Sequence, residues 1–277
     1  MQKLAETARR RGRTIGLVPT MGALHEGHLS LIEKSARQND ITIVSIFVNP
    51  TQFGPNEDFA KYPRAFKADC AKAKRAGAAI IFQPAVTDIY PVAKPSIRTG
   101  FQTYVTPGAI ADKLEGAARP GHMRGVATIC VKLFDICKPH RAYFGQKDAQ
   151  QLAMIKRVVA DLNLDLKIVS CPIMRSRTGV ALSSRHSYLS ASDLDKAAVI
   201  YESLKLAKKL VKSGQRDLKA IELEMRNLIA AVPGVAIEYI AFNRWDDLEN
   251  VDKIRSRTLI SMVAVIGGIR LLDNIII

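Results

Sequence analysis

The sequence predicts an α/β protein. A Rossmann-like, mostly parallel sheet with helices on both faces occupies residues 1–173, and a smaller α+β lid domain follows over residues 174–277. Three observations carry that expectation. Residues 14–50 read as one strand–loop–helix–strand unit. Short apolar strand runs then alternate with helical patterns as far as Ser170. After Pro172 the rhythm changes to two long helical stretches followed by strands.

Taken in order, Met1–Glu6 is polar and helical, with no apolar signal core. Thr14–Val18 is short and β-rich, and Pro19–Gly27 is a loop punctuated by Pro19, Gly22 and Gly27. From His28 onward Leu29, Ile32 and Ala36 recur at helical spacing, and Ile41–Val48 is a buried-strand run. Ala65–Arg75 reads as a helix closed by Gly77, and Ala79–Phe82 as a strand stopped by Pro84. Gly125–Cys137 is a helix ending before Pro139, Arg141–Phe144 a strand, Asp148–Leu162 a helix and Leu166–Ser170 a strand. Ligands of such sheets bind beyond the carboxyl ends of the strands. That rule singles out Pro19–His28, Asn49–Phe53 and Gly145–Asp148. Beyond the boundary, Met174–Gly179 is basic and turn-like, and Ser183-Ser184-Arg185 follows. Helices are expected over Ser192–Lys212 and Asp217–Ala231, and strands over Val235–Phe242 and Thr258–Asp273. Gly267-Gly268 forms a tight hairpin turn within the last of these.

Composition limits the function. The 277 residues are 48% hydrophobic and 24% charged, the balance of a soluble globular protein. The net charge of +15 is spread along the chain, in Arg9-Arg10-Arg11, Lys72 to Arg75 and Lys205 to Lys212. A nucleic-acid groove usually adds stacking aromatics, and aromatics are only 6% here. The charge therefore reads as solvated helix faces and a field that attracts small anions, with nucleic-acid binding as the alternative. The apolar run Leu259–Ile269 is too short to span a bilayer and is broken by glycines. Of the four cysteines, none makes a Cys-x-x-Cys pair, and Cys130 and Cys137 fall on one helix face as buried free thiols. A reduced, cytoplasmic protein is expected.

The first loop places His25 and His28 where a helix begins. Free backbone N–H groups and the helix dipole favour anions there, phosphates above all. Two imidazoles at that point suit a site that holds and protonates phosphate oxygens. Zinc is disfavoured, because His-Glu-Gly-His lacks the one-turn spacing of a metalloprotease helix. Gly22–Gly27 and Gly116–Gly121 have Walker A glycine spacing, but each is followed by histidine rather than Lys-Ser/Thr.

Five segments then carry a resemblance: Pro19–His28, Phe47–Phe53, Glu115–His122, Phe144–Gln151 and Leu182–Arg185. In this order and spacing they resemble the pantothenate synthetase family of the nucleotidyltransferase superfamily, whose His-x-Gly-His signature matches His25–His28. The resemblance runs nearly end to end, through Leu272-Asp273-Asn274. It implies ATP-dependent joining of pantoate and β-alanine. Pantoate is adenylated with release of pyrophosphate, and the amine of β-alanine then displaces AMP. It also implies Mg²⁺ and a homodimer; from composition, no nucleic-acid or membrane partner is expected.

Residue by residue, the resemblance makes Met21, Gly22, Ala23, Leu24, His25, Glu26, Gly27 and His28 the ATP loop. His28 is the proton donor, and His25 and Lys147 assist catalysis. Gly145, Gln146, Lys147, Asp148 and Met174 also bind ATP, with Lys147 a point charge beside the phosphates, Asp148 at the ribose and Met174 meeting adenine through its backbone. Leu182, Ser183, Ser184 and Arg185 bind ATP, the last three serving its β- and γ-phosphates. Gln52 and Gln151 take pantoate, with Asn49 and Arg119 lining the same cleft. Asp69 sits where the family offers an acid to a metal. Gln146 stands where the family usually has Glu, and His186 where it has Asn. The family usually has a longer segment before its first strand than the thirteen residues preceding Thr14. Because Arg175–Arg185 joins the domains and carries phosphate ligands, it is expected to behave as a hinge or lid.

The chemistry agrees. A carboxylate attacking an α-phosphate needs no protein nucleophile, only two anions brought together and charge stabilised on phosphate. A nucleotidyltransferase for another small acid would keep the histidine loop and lose Gln52 and Gln151.

Overall fold

The computed structural model describes residues 1–55, 57–91, 100–255 and 257–277. Five parallel strands form one sheet: β1 (Ile15–Thr20), β2 (Ile41–Ile46), β3 (Ile80–Phe82), β4 (Arg141–Gly145) and β5 (Lys167–Cys171). Their order is β3-β2-β1-β4-β5. Ile15 to Thr20 pair in register with Ile41 to Ile46, and β4 joins the other edge of β1. The direction of strand addition reverses beside β1, and ligand crevices open at such switch points. Every residue of β2 is buried, Thr42 and Ser45 included, as a strand rich in Ile and Val predicts for a central position in a parallel sheet.

The helices of this part are α1 (Gln2–Arg10), α2 (Glu26–Gln38), α3 (Phe66–Arg75), α4 (Val86–Ile89), α5 (Leu114–Ala118), α6 (His122–Cys137) and α7 (Ala149–Asp161). Strand side chains alternate between faces. Val18 and Val44 meet Leu31 and Ile32 of α2 and Ala73 of α3 on one face. Leu17 points the other way, where α1 and α6 pack on β1. Helix α6 starts at His122, earlier than its apolar period suggests, after Gly121 turns the chain in the left-handed region. Helices α4 and α5 are too short to show a period in the sequence. Strand β2 stops at Ile46, ahead of the expected Val48, because Asn49 caps a 3₁₀ turn over Pro50–Gln52.

Cys130 and Cys137 are buried free thiols, and burial pushes both up to about 12. Thiols so far from ionisation are inert core groups.

The remaining elements are α8 (Ala191–Lys212), α9 (Leu218–Ala230) and an antiparallel sheet of β6 (Val235–Arg244), β7 (Thr258–Ile266) and β8 (Ile269–Ile276) in the order β6-β7-β8. Ser190 and Asp217 cap the two helices through their side-chain oxygens. Ile200, Leu204 and Ala207 of α8 and Ile221 and Met225 of α9 form a core with Met262 and Ala264 of β7. Gly267 and Gly268 have φ of 56° and 77°, the pair of left-handed residues that a two-residue hairpin demands. The chain divides into two compact units, Met1–Gln146 with Gln150–Cys171, and Lys147–Ala149 with Pro172–Ile277. Among the described residues no helix is long and apolar enough to cross a membrane.

Helix α6 presses directly onto the turn after β2. A Cβ on Gly125 would sit 2.3 Å from the Thr51 carbonyl oxygen. Gly125→Ala gains up to about 1 kcal/mol of helix propensity but forces two backbones apart, an overpacking cost of about 1–3 kcal/mol. The variant should therefore lose stability, read as a lower urea midpoint at unchanged slope. A midpoint at or above wild type would show that the turn yields freely.

Candidate active site

In the first unit the loop after β1 is built by a carboxylate reaching up from α3. Asp69 is 1% exposed. Its Oδ2 accepts the Ala23 N–H at 2.9 Å and its Oδ1 the Leu24 N–H at 2.8 Å. Lys72, one turn further along α3, donates to the Leu24 carbonyl at 2.7 Å. Leu24 plugs the core at 1% exposure. The next residue, His25, is the N-cap of α2, and its Nδ1 accepts the Gly27 N–H at 3.1 Å. The His28 Nδ1 in turn lies 3.4 Å from the His25 N–H, closing a capping box, with the rings 4.1 Å apart. A ring nitrogen that accepts carries no proton, so each neutral imidazole keeps its hydrogen on Nε2. The capping box thus brings two imidazoles together at the helix start, each with its proton on Nε2, where the helix dipole suits phosphate oxygens.

The turn after β2 supplies amides. Asn49 is 1% exposed and Gln52 is 8% exposed. Asn49 Nδ2 donates to Gln52 Oε1 at 3.0 Å and to the Gly125 carbonyl at 3.1 Å. Gln52 Nε2 faces Met21 Sδ at 3.2 Å, which joins this turn to the histidine loop. From the other side Arg119 forks Glu57, with Nε to Oε1 at 2.8 Å and Nη2 to Oε2 at 2.5 Å. Its Nη1 lies 3.1 Å from His122 Nε2, and His122 Nδ1 lies 2.8 Å from the Gln52 carbonyl. A carbonyl only accepts, so His122 holds its proton on Nδ1 and receives Arg119 on Nε2. Burial, reinforced by Arg119, pushes His122 down to about 4. Burial opposes ionisation of Glu57, but Arg119 outweighs it and holds that carboxyl below its ordinary range.

In α7, Gln151 lies half-buried in the first turn. Its neighbour Gln150 is buried and structural, donating to the Ile110 and Lys113 carbonyls and accepting from Gly116. Gly145 ends β4 and Gln146 follows directly, its N–H donating to the Cys171 carbonyl at 2.8 Å.

The second unit positions its own set. Asn274 of β8 donates to the Lys147 carbonyl at 2.8 Å, and Lys147 Nζ lies 3.6 Å from Asp148. Arg175 forks Asp273 at 2.5 and 2.9 Å, stacks 3.7 Å over Tyr201, and donates to the Gly179 carbonyl at 3.0 Å. The Arg175–Ala181 bridge and the Leu182 N–H to Met174 carbonyl bond close this basic segment into a small loop. Ser183 then caps the turn Ser184–Tyr188 by accepting the Arg185 N–H at 3.3 Å. Burial, then Lys147, lowers His186 from its ordinary value, favouring its neutral form.

Two expectations meet a different use in the structure. Both oxygens of Asp69 are taken by backbone N–H groups, so the residue shapes the loop. Among the described residues no group of three or more His, Cys, Asp or Glu could hold a metal ion. Arg119 has its fork committed to Glu57. Tyr90 and Glu57 had no sequence signal, and His122 stood out only as the end of the Glu115–His122 segment, because each acts on a partner 41 to 70 residues away.

The family model described as pantoate-beta-alanine ligase matches residues 1–276. The pantothenate synthetase of Caldicellulosiruptor saccharolyticus is 48% identical over 277 residues, covering 100% of this chain and 96% of that protein. That of Geobacter sulfurreducens is 47% identical, covering 100% and 95%. The crystal structure of the Thermus thermophilus enzyme superposes with a TM-score of 0.89 at 38% identity, covering 95% and 92%. The Francisella tularensis pantoate-beta-alanine ligase, complexed with beta-gamma ATP and beta-alanine, gives 0.77 at 35% identity, covering 99% and 95%. The chain belongs to the pantoate-beta-alanine ligase family.

The neutral His122 makes the first unit acid-sensitive. Its value falls from 6.5 to about 4 on folding. Between those limits the unfolded chain binds the extra proton, so stability is full above 6.5 and is lost as pH falls toward 4. At about 1.4 kcal/mol per unit, the loss approaches roughly 3 kcal/mol. Urea midpoints should drop over this window in wild type and drop less in His122→Asn. Parallel pH profiles for the two proteins would refute the assignment.

Proposed function

We propose that this chain joins pantoate to β-alanine, driven by ATP, through a pantoyl-adenylate. The observation that carries the reading is the pair of Nε2–H donors at the start of α2, tied through Met21 to the Gln52 amide. An anion-binding helix start and an oxygen-seeking amide suit a phosphate and a polar carboxylic acid held side by side.

In the first step a pantoate carboxylate oxygen attacks the α-phosphorus. The bond to the bridging oxygen breaks and pyrophosphate leaves. His28 and His25 stabilise the charge that develops on phosphate oxygens, with His28 as proton donor. Lys147 acts as a point charge by the phosphates and Asp148 holds the ribose. Ser183, Ser184 and Arg185 supply hydroxyls and a forked cation for the β- and γ-phosphates. Met174 meets adenine through its backbone. Gln52 and Gln151 hold pantoate, and Arg119 supports Gln52 through His122. In the second step the amine of β-alanine attacks the acyl carbon, the bond to AMP breaks, and the nitrogen loses a proton as the amide forms. Mg²⁺ in this reading rides on the nucleotide's oxygens and water. The reading takes the enzyme as a cytoplasmic homodimer, with residues 1–173 binding nucleotide and pantoate.

Pantoate-dependent release of pyrophosphate tests the whole proposal. No release with pantoate, β-alanine and ATP all present would defeat it. His28→Ala should slow that release by a factor on the order of 10² to 10³, the usual loss of a donor to developing charge. A near-normal rate would remove His28 from catalysis. Gln151→Ala should raise the pantoate KM about tenfold or more while the ATP KM moves less than about twofold, since it removes one substrate-directed amide. The reverse pattern would reassign Gln151 to the nucleotide.

A further inference from the structure

An amide side chain accepts at one end and donates at the other, and a half-turn about its last bond exchanges them. Which end of Gln52 faces its ligand is therefore a structural decision. The geometry points to Tyr90 as the residue that makes it: a positioning residue whose hydroxyl, acting through Asn49, turns the Gln52 donor toward pantoate. This inference rests on the pantoate-binding role proposed for Gln52.

The constraint passes from atom to atom. Asn49 Oδ1 gathers three donors: the Tyr90 hydroxyl at 2.7 Å, the Thr51 hydroxyl at 3.0 Å and the Thr51 N–H at 3.4 Å. A flipped Asn49 would aim its NH₂ at those donors and its oxygen at the Gly125 carbonyl. Its Nδ2 is thereby committed to Gly125 and to Gln52 Oε1. That contact takes the acceptor end of Gln52 and leaves Nε2 facing Met21 Sδ. A thioether is a weak acceptor, so a carboxylate or hydroxyl oxygen of pantoate would replace it readily.

Of the three donors Tyr90 is the shortest contact, and the only one supplied from outside the turn itself. Its ring is 6% exposed and held edge-on by Phe101 at 4.8 Å and tilted against Phe47 at 6.3 Å. Burial raises its phenol to about 12, so the hydroxyl keeps its proton throughout the neutral range.

Tyr90→Phe tests the inference, because it keeps the ring and removes only the hydroxyl. Pyrophosphate release should show the pantoate KM raised about tenfold, the scale of one lost buried hydrogen bond. The ATP KM and the turnover number should move less than about twofold. Gln52→Ala should raise the pantoate KM further, and Tyr90→Phe added to it should change nothing more, since in this inference the hydroxyl reaches pantoate through that amide. A pantoate KM within twofold of wild type in Tyr90→Phe would overturn the inference. So would equal losses toward all substrates, or additive effects in the double variant. If wild type turns over pantoate and Gln52→Ala leaves its KM unchanged, the inference falls and the ligase reading stands. If wild type releases no pyrophosphate with pantoate, the ligase reading falls and takes the inference with it.

Discussion

A buried carboxylate gripping two consecutive backbone N–H groups is the interaction on which the first unit's site depends. Burying Asp69 is costly unless its lone pairs are met, and Ala23 and Leu24 meet them. Charge-assisted bonds of this kind are about twice as strong as neutral ones. With Lys72 on the Leu24 carbonyl, helix α3 holds both the donor and the acceptor side of one short stretch. Everything downstream follows in the chain. Leu24 is driven into the core, His25 arrives at the N-cap position, and the capping box sets the tautomer of both histidines. An unclamped loop would leave the same residues in sequence without a defined direction for either Nε2–H.

A second layer of constraint fixes the amides. Helix α6 lies so close to the turn after β2 that only glycine fits at Gly125, and this proximity lets the Gly125 carbonyl receive Asn49. The Glu57–Arg119–His122 chain reaches the same turn from the other side and ends on the Gln52 carbonyl. Networks of this type are strong only when every member is satisfied. Here the weakest acceptor in the network is Met21 Sδ, the point at which a ligand oxygen would improve matters.

The second unit solves a similar problem with an ion pair. Asp273 is 2% exposed, and burial raises its carboxyl against the opposing pull of Arg175. A buried pair is poor evidence of added stability, because desolvation offsets much of the attraction. Its value here is geometric: Arg175 ties β8, Tyr201 of α8 and the Gly179 carbonyl to one point, and the loop leading to Ser183 is shaped around it. Ion pairs at exposed positions, such as Arg157–Asp161, organise nothing comparable.

Local patterns were readable from the residues alone. The β-rich run at Ile41–Ile46, the paired glycines at 267–268 and the helical period from Leu29 onward depend on neighbours close in sequence, and each element formed where its pattern implies. The loops after the strands were legible for the same reason, since a parallel sheet leaves its ligand sites there. Gln150 and Gln151 mark the limit. Adjacent, chemically identical residues take different positions, and only the packing of the segment 110–116 against α7 decides that Gln150 is the structural one. The uses of Asp69, Tyr90 and His122 were likewise decided by tertiary structure. Their partners lie 45, 41 and 70 residues away, so the bonds exist only once the sheet has brought distant strand ends together. A sequence records which side chains can donate or accept. The folded backbone determines which of those groups find each other and which direction the remaining ones face.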